Sequence, residues 1–107
     1  MKLVIIESPY SGDVEKNTKY ARECMLDSLR RGEAPYASHL LYTQVLDDTA
    51  LDERHLGMEA GFAWGAKADM VAVYTDLGIS EGMKFGVARA LENEIPHIEY
   101  RTIYGTQ

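Results

Sequence analysis

The stretch Met70–Tyr74, which reads MVAVY, decides the fold. A continuous apolar run of this length, rich in β-branched residues, is typical of a strand that is buried on both faces of a sheet. The residues that follow, Thr75–Ser80, have the glycine and small polar side chains of a turn. Ser80 is a candidate N-cap, and it predicts a helix from Glu81 to about Asn93.

Strand and helix patterns alternate through the rest of the chain. The further predicted elements are a strand Leu3–Ile6, a helix Val14–Arg31, a strand Ala34–Ala37, a loop Ser38–Thr43, a helix Ala50–Ala66 and a last strand Pro96–Tyr100. Alternation of this kind implies crossover connections and a parallel sheet. We therefore expect one α/β domain over residues 1–107, with about four parallel strands and helices on both faces of the sheet.

The two N-terminal helices are predicted to be amphipathic. In the first, the apolar positions Val14, Ala21, Met25 and Leu29 define the face toward the sheet, with Asp13 as N-cap and Gly32 as C-cap. In the second, His55 lies among the apolar positions Leu51, Met58 and Phe62, so we expect it to be packed. Phe62 and Trp64 are interpreted as core or subunit-interface residues, and Cys24 as an inert thiol on the buried side of the first helix.

The charge balance restricts the partners. Of the 107 residues, 11 are basic and 17 are acidic, which gives a net charge of -6. Polymeric nucleic acid and anionic membranes normally bind to basic patches, and this chain has no run of lysines or arginines. We expect neither partner. A small anionic ligand is still compatible, because the N-terminus of a helix can hold a phosphate.

The single cysteine, Cys24, excludes an intrachain disulfide. The apolar start Met1–Ile6 is too short for a signal peptide, and no stretch has the roughly 20 apolar residues of a membrane span. These features predict a cytoplasmic protein. The histidines His39, His55 and His97 lie on different predicted elements, so we expect no metal, and the sequence has none of the glycine-rich motifs that bind NAD or ATP.

Three polar loops follow the predicted strands: Glu7–Asp13, Ser38–Thr43 and Thr75–Ser80. Because ligands bind outside the carboxyl ends of the strands in open parallel sheets, these loops are expected to form one crevice. The side chains expected to converge there are Ser8, Tyr10, Ser11, His39, Asp76 and Ser80. His39 has the alternative interpretation of a surface histidine, and the Ser8–Gly12 segment that of a plain loop.

Each of these residues has a chemistry that suits a nucleoside or nucleotide. Ser8, Ser11 and the amides around Gly12 suit a phosphate or a sugar hydroxyl, and Tyr10 suits stacking on a base. Asp76 and Glu81 would accept hydrogen bonds from ribose or from base amino groups. The start of the third predicted helix, at Ser80–Met83, would offer backbone amides to an anion.

The loops also resemble those of a known family. Ser8–Gly12 (SPYSG), Ala68–Met83 (ADMVAVYTDLGISEGM) and Ala90–Pro96 (ALENEIP) are similar to segments of the nucleoside 2-deoxyribosyltransferase-like proteins, in particular to small uncharacterised members that are often carried by phages. The resemblance implies a three-layer flavodoxin-like or Rossmann-like fold and homo-oligomers whose sites are completed by a neighbouring subunit. It also implies cleavage or exchange of N-glycosidic bonds.

Enzymes of that family use a glutamate in the third helix as nucleophile, within a pattern like GMxxEI. The matching stretch here is Gly82–Val87 (GMKFGV), in which Gly86 stands at the nucleophile's position. A shift in the alignment is the alternative explanation. With the resemblance, the predicted ligand residues are Ser8, Tyr10, Ser11, Gly12, His39, Asp76, Ser80, Glu81, Gly82, Met83 and Gly86.

The missing carboxylate favours a binding protein over an enzyme. Such a protein would hold a nucleoside- or nucleotide-derived molecule without cleaving it, for example a cyclic or ADP-ribose-derived signalling nucleotide. The alternative is a divergent deoxyribosyltransferase or nucleotide N-hydrolase that uses Glu81, Asp76 or a carboxylate of a partner subunit. A protein-interaction module with a vestigial crevice is the third hypothesis. No cofactor is expected in any of the three.

Overall fold

The sheet has four parallel strands. A computed structural model describes residues 1–105. The strands are β1 (Leu3–Glu7), β2 (Ala34–Tyr36), β3 (Met70–Tyr74) and β4 (Ile98–Arg101), and they lie in the order β2-β1-β3-β4. All five residues of β3 are buried. The predicted α/β class, with a central β3, is confirmed.

The helices cover both faces of this sheet. They are α1 (Val14–Arg30), α2 (Ser38–Leu41), α3 (Leu51–Gly65) and α4 (Glu81–Glu92). Since β2 lies on one side of β1 and β3 on the other, right-handed crossovers place α1 on one face and α3 and α4 on the opposite face. The order of strands and this layering are those of a flavodoxin-like or Rossmann-like fold.

Two separate clusters of apolar side chains form the core. On the α1 face, Val4 and Ile6 of β1 pack with Tyr20, Cys24 and Tyr74. The other cluster lies on the α4 face, and its buried members are Val71, Val73, Met83, Ala90 and Ile95. Successive residues of a strand point to opposite faces, so the even-numbered residues of β1 face α1, whereas Ile5 packs against the second cluster.

The predicted caps of α1 and α4 are present. The Asp13 carboxylate accepts a hydrogen bond from the Lys16 amide at 3.2 Å, and the Ser80 hydroxyl accepts one from the Met83 amide at 3.3 Å. Gly32 follows α1 with a φ of 83°, a left-handed conformation that favours glycine at a helix end. These contacts stabilise the first and last turns, where backbone groups have no partner within the helix.

The predicted buried face of α1 is partly wrong. Val14 and Leu29 are 42% and 51% exposed, and the helix is rotated so that two polar residues are buried. Asn17 donates hydrogen bonds to the carbonyl oxygens of Tyr10 and Ser11, both at 3.0 Å. The other polar residue, Ser28, is bonded to Glu33. Hydropathy does not detect this face, because paired polar side chains can be buried at little cost.

Several predicted boundaries and environments also differ. The segment Ser38–Thr43 is not a loop: it forms α2 and a following 3₁₀ turn, Tyr42–Gln44. The second strand ends at Tyr36 rather than Ala37, and the last strand is Ile98–Arg101 rather than 96–100. His55 is exposed rather than packed, and no residue of α3 is fully buried. Within residues 1–105, no helix combines the length and apolar character required to cross a membrane.

Candidate functional site

One cavity of about 250 Å³ lies on the α4 face of the sheet. Its floor is formed by Ile5 and Glu7 of β1 and by Val71 of β3, and its walls by α3, α4 and the segments that follow β1 and β2. β1 and β3 are neighbours from which the chain leaves in opposite directions. The cavity therefore lies at the topological switch point of the sheet, where open α/β proteins bind their ligands.

Most of the predicted ligand residues converge on this cavity. Those among its lining residues are Ser8, Tyr10, Ser11, His39, Ser80, Glu81, Gly82, Met83 and Gly86. They come from the loop after β1, from α2 and from the first turns of α4. The predicted meeting of three distant polar segments is thus confirmed for these residues, although their binding of a ligand stays a prediction.

Asp76 does not belong to this group. Its carboxylate accepts hydrogen bonds from the Tyr20 hydroxyl at 2.6 Å, from the Ile103 amide at 3.0 Å and from the Tyr104 amide at 2.9 Å. Burial alone would raise the pKa of Asp76, but these hydrogen bonds outweigh it and hold the pKa below its ordinary value. The prediction that Asp76 faces the crevice is wrong, because Asp76 continues the alternation of Ala72 and Tyr74 toward α1.

Gly12 also lies outside the cavity lining. It is exposed, has a φ of 100°, and its carbonyl accepts a hydrogen bond from the Val14 amide at 3.0 Å. The left-handed conformation explains why glycine is needed here. Gly12 shapes the turn between β1 and α1 and is not brought to the predicted crevice.

Glu7 is the site residue that the sequence prediction missed. It is the last residue of β1 and lines the cavity floor. Within residues 1–105, no ion pair or hydrogen bond compensates for its burial, which raises the pKa of the carboxyl to about 8. The signal was present in the sequence, because strand alternation places Glu7 on the same face as Ile5.

Gly86 explains how the Glu7 carboxyl fits under α4. A Cβ atom added at Gly86 would lie 2.7 Å from Glu7 Oε1 and still closer to Oε2. Any side chain at this position would therefore displace the carboxyl. Thus Gly86, the position on α4 where the resemblance would place a carboxylate, is adjacent to the carboxyl of Glu7 on β1.

Ser8 and His39 form a pair beside Glu7. Ser8 Oγ lies 2.7 Å from His39 Nε2, and the Thr43 hydroxyl donates to the His39 carbonyl oxygen at 2.7 Å. Burial lowers the pKa of His39 to about 4, so its ring is neutral at pH 7. His39 is half-buried and lines the cavity, and the alternative of a surface histidine is wrong. A neutral ring can accept the Ser8 proton or donate its own, depending on the tautomer.

Aromatic side chains form much of the cavity wall. The ring of Tyr36 packs against those of Tyr42 and Trp64, with centroid distances of 6.5 and 6.1 Å. On the α3–α4 side, the Arg89 guanidinium lies 4.7 Å above the ring centroid of Phe62. Trp64 itself is 62% exposed, so it is not a core residue of this chain. The wall offers flat apolar surfaces of the kind that bind planar rings.

The remaining titratable candidates are less suited to act inside the cavity. Glu81 is a lining residue, but its side chain is 83% exposed and pairs with Lys84 at 3.0 Å. It does not replace the carboxylate missing at Gly86. Cys24 is buried on the opposite face, as predicted, and burial raises its pKa to about 12. Residues 1–105 contain no cluster of three histidine, cysteine or acidic side chains arranged to hold a metal ion.

Fold and site together define a parallel α/β protein of the flavodoxin-like or Rossmann-like class, with a polar and aromatic cavity at the switch point of its sheet. Residues 2–101 match a family described as a domain of unknown function, DUF7768. The match covers nearly the whole chain, so the protein belongs to this family. No curated protein matches the chain.

Proposed function

We propose that this protein binds a nucleoside- or nucleotide-derived small molecule in the cavity at the carboxyl ends of β1 and β3. The observation that carries the proposal is the convergence of Tyr10, Ser8, Ser11 and the start of α4 on a single cavity. Its volume of about 250 Å³ lies just below the range of roughly 300–1,000 Å³ that is usual for ligand pockets. The cavity therefore suits one small molecule.

Different residues of the cavity suit the base, the sugar and the phosphate of such a ligand. Tyr10 lines the cavity and offers its ring to a base, and a stacked base contributes about 1–3 kcal/mol. The hydroxyls of Ser8 and Ser11 suit sugar hydroxyls. At the start of α4, the Ser80 hydroxyl accepts a hydrogen bond from the Met83 amide, which leaves the amides of Glu81 and Gly82 for an anionic group such as a phosphate.

A second candidate function, hydrolysis of an N-glycosidic bond, is favoured by Glu7. In such a reaction the bond between the anomeric carbon and the base nitrogen breaks, and a bond to a water oxygen forms. The Glu7 carboxyl would give its proton to the departing nitrogen, and the carboxylate formed would take a proton from the attacking water. The alternative carboxylates, Glu81 and Asp76, are either exposed or fully hydrogen-bonded.

One experiment tests both functions. The purified protein is dialysed against nucleosides, nucleoside 5′-monophosphates, cyclic nucleotides and ADP-ribose, and the ligand is recovered by heat denaturation and chromatographed. Intact ligand released only on denaturation supports binding and sequestration, whereas free base supports hydrolysis. If no compound is retained or cleaved, the proposed function is wrong.

Tyr10→Ala provides the matched variant, with Tyr100→Ala as its control. Tyr10 lines the cavity, whereas Tyr100 is an exposed residue of β4 outside it. We expect the Kd to rise at least fivefold in Tyr10→Ala and to stay unchanged in Tyr100→Ala. Equal affinities in the two variants would place the ligand elsewhere.

Two further features belong to this proposal. A homo-oligomer is proposed because α3 and α4 leave large apolar side chains exposed, among them Leu56, Trp64, Phe85 and Leu91. A cytoplasmic location is proposed because Cys24 is a free thiol. Light scattering during gel filtration tests the first, with a mass near 12.0 kDa contradicting it.

A further inference from the structure

The Glu7 carboxyl is polar but has no partner of its own. It lies on the cavity floor, below Gly86 and beside Ser8. Glu7 lines the cavity, and no side-chain or backbone group among residues 1–105 donates a hydrogen bond to its carboxyl. Glu7 is half-buried, and a partly buried polar group that faces a cavity without a partner in the protein is available to hydrogen-bond a ligand.

Several of the charged groups around the cavity have partners other than Glu7. Arg89 of α4 stacks on Phe62 and approaches Glu59 Oε1 at 3.5 Å. Glu53 of α3 accepts a hydrogen bond from the Asp47 amide at 2.8 Å. The titratable lining residues are Tyr10 after β1, Tyr36 of β2, His39 of α2, Tyr42 and Asp48 after α2, Glu53 and Arg54 of α3, and Glu81 and Arg89 of α4. None forms an ion pair with Glu7 within residues 1–105.

We propose that Glu7 recognises the bound molecule as an uncharged acid, whose O–H group donates a hydrogen bond to an acceptor atom of the ligand. This inference rests on the proposed function and deepens it. The ligand class is then a nucleoside-derived molecule with a ring nitrogen or carbonyl oxygen on its base that can accept a hydrogen bond. A carboxylate would instead require a donor or a cation.

Geometry favours the acid form. The carboxyl lies between the sheet and α4, and no cation is bonded to it to stabilise a negative charge. Burial without a compensating partner disfavours the ionised form of a carboxyl. The neighbouring His39 ring is neutral near pH 7 and engaged with Ser8, so it does not supply a positive charge either.

Gly86 is the second part of this arrangement. Because a Cβ atom at this position would overlap the Glu7 carboxyl, only glycine leaves the acid in place and accessible. Gly82, on the same helix, has only Ser80 Oγ within 4 Å of a built Cβ, at 3.9 Å. The space requirement is thus specific to the helix position above Glu7.

The test measures the affinity of four probes, adenosine, guanosine, cytidine and uridine, by calorimetry at pH 6.5 and pH 9. We expect the wild-type protein to bind at least one of them at pH 6.5 and to bind it about tenfold more weakly at pH 9, since only the protonated fraction is competent. Glu7→Gln keeps an N–H donor that does not titrate. It should bind within about threefold of the wild type at pH 6.5 and lose little at pH 9.

Glu7→Leu provides the second variant, because it retains the size of the side chain but has no donor. We expect its Kd to rise at least tenfold at pH 6.5, with cooperative thermal unfolding showing that the variant is folded. Two results overturn the inference while leaving the proposed function intact: unchanged affinity in Glu7→Leu, or wild-type binding that is constant or tighter at pH 9. Failure of all four nucleosides to bind the wild type overturns the inference too, whereas the wider dialysis panel decides the proposed function.

Discussion

Two carboxyl groups at the ends of neighbouring central strands have opposite surroundings. Asp76 follows β3, and its carboxylate accepts hydrogen bonds from one hydroxyl and two backbone amides. Glu7 ends β1 and has no such partner within residues 1–105. The hydrogen bonds hold the pKa of Asp76 below its ordinary value, whereas burial raises that of Glu7 to about 8.

The difference shows that position at a strand end does not make a carboxyl available to a ligand. Strand alternation directs Asp76 toward α1, where Tyr20 and the segment after β4 surround it. The same alternation directs Glu7 to the other face and into the cavity. Asp76 therefore stabilises the fold, and Glu7 is the group available for chemistry.

The largest effect is expected for Asp76→Ala. This change leaves the Tyr20 hydroxyl and the amides of Ile103 and Tyr104 without their acceptor, and the loss of these bonds to a half-buried charged group costs about 2–4 kcal/mol in total. Urea denaturation measures the loss of unfolding free energy. Tyr20→Phe removes the bond from the Tyr20 hydroxyl to the Asp76 carboxylate and the bond from the Asp76 amide to that hydroxyl. It should cost less, because the amides of Ile103 and Tyr104 keep their charged acceptor. Weakened ligand binding with unchanged stability would contradict the assigned role of Asp76.

The next largest effect on stability is expected at Gly86, and it should be absent at Gly82 on the same helix. We expect Gly86→Ala to lower the unfolding free energy by no more than about 1–2 kcal/mol, because its Cβ would overlap the Glu7 carboxyl, which is the movable end of a flexible side chain. Gly82→Ala, with open space around it, should be neutral or stabilising. The cost of Gly86→Ala should largely disappear when Glu7 is also replaced by alanine. Additive losses in that double variant would show that the two residues are not in contact.

Glu7→Gln is expected to stabilise the protein at neutral and alkaline pH. The folded-state pKa of Glu7, about 8, lies above its ordinary value of 4.5. The wild type therefore loses stability as pH rises from about 4.5 to 8, since the folded state binds the proton more tightly. Because the cavity is open to water, we expect a gain of only about 1–2 kcal/mol at pH 8. Equal wild-type and Glu7→Gln stabilities at pH 5 and pH 8 would contradict the buried acid.

His39 is expected to make a smaller contribution to the pH dependence of stability, and it should destabilise the protein at acid rather than alkaline pH. Burial lowers its pKa from 6.5 to about 4, so the unfolded state binds a proton more readily between these values. Stability is then lost as pH falls from 6.5 toward 4. In His39→Gln this loss should shrink by about 1 kcal/mol, and the exposed His55→Gln should leave it unchanged. An identical acid-denaturation midpoint in His39→Gln and wild type would contradict this environment.

The sequence was sufficient to predict an α/β fold with a sheet of about four parallel strands, and the meeting of three polar segments at one cavity. Apolar runs such as Met70–Tyr74 and caps such as Ser80 are local signals, and parallel strands bring their carboxyl ends to one edge. The buried face of α1 was not predictable from hydropathy, since Asn17 is buried by its hydrogen bonds to Tyr10 and Ser11. Similarly, the partners that occupy Asp76 come from residues 27 and 28 positions further along the chain.

Gly86 shows the same limit at the site itself. A glycine in a helix indicates a close approach but not the group that approaches. The family resemblance indicates that a carboxylate is missing at Gly86. The carboxyl that lies next to this position, that of Glu7, is 79 positions earlier in the chain (86 − 7). Only the packing of α4 on β1 brings the two together.

The most direct test of the contrast between the two carboxyls is an NMR titration of ¹³C-labelled side-chain carboxyl groups in the ligand-free protein, with Glu7→Gln used to assign the Glu7 signal. The account predicts that the Glu7 carboxyl titrates near pH 8 while the Asp76 carboxyl titrates below its ordinary value. A Glu7 signal that titrates near pH 4.5 would contradict it, because the cavity floor would then hold a charged carboxylate at neutral pH.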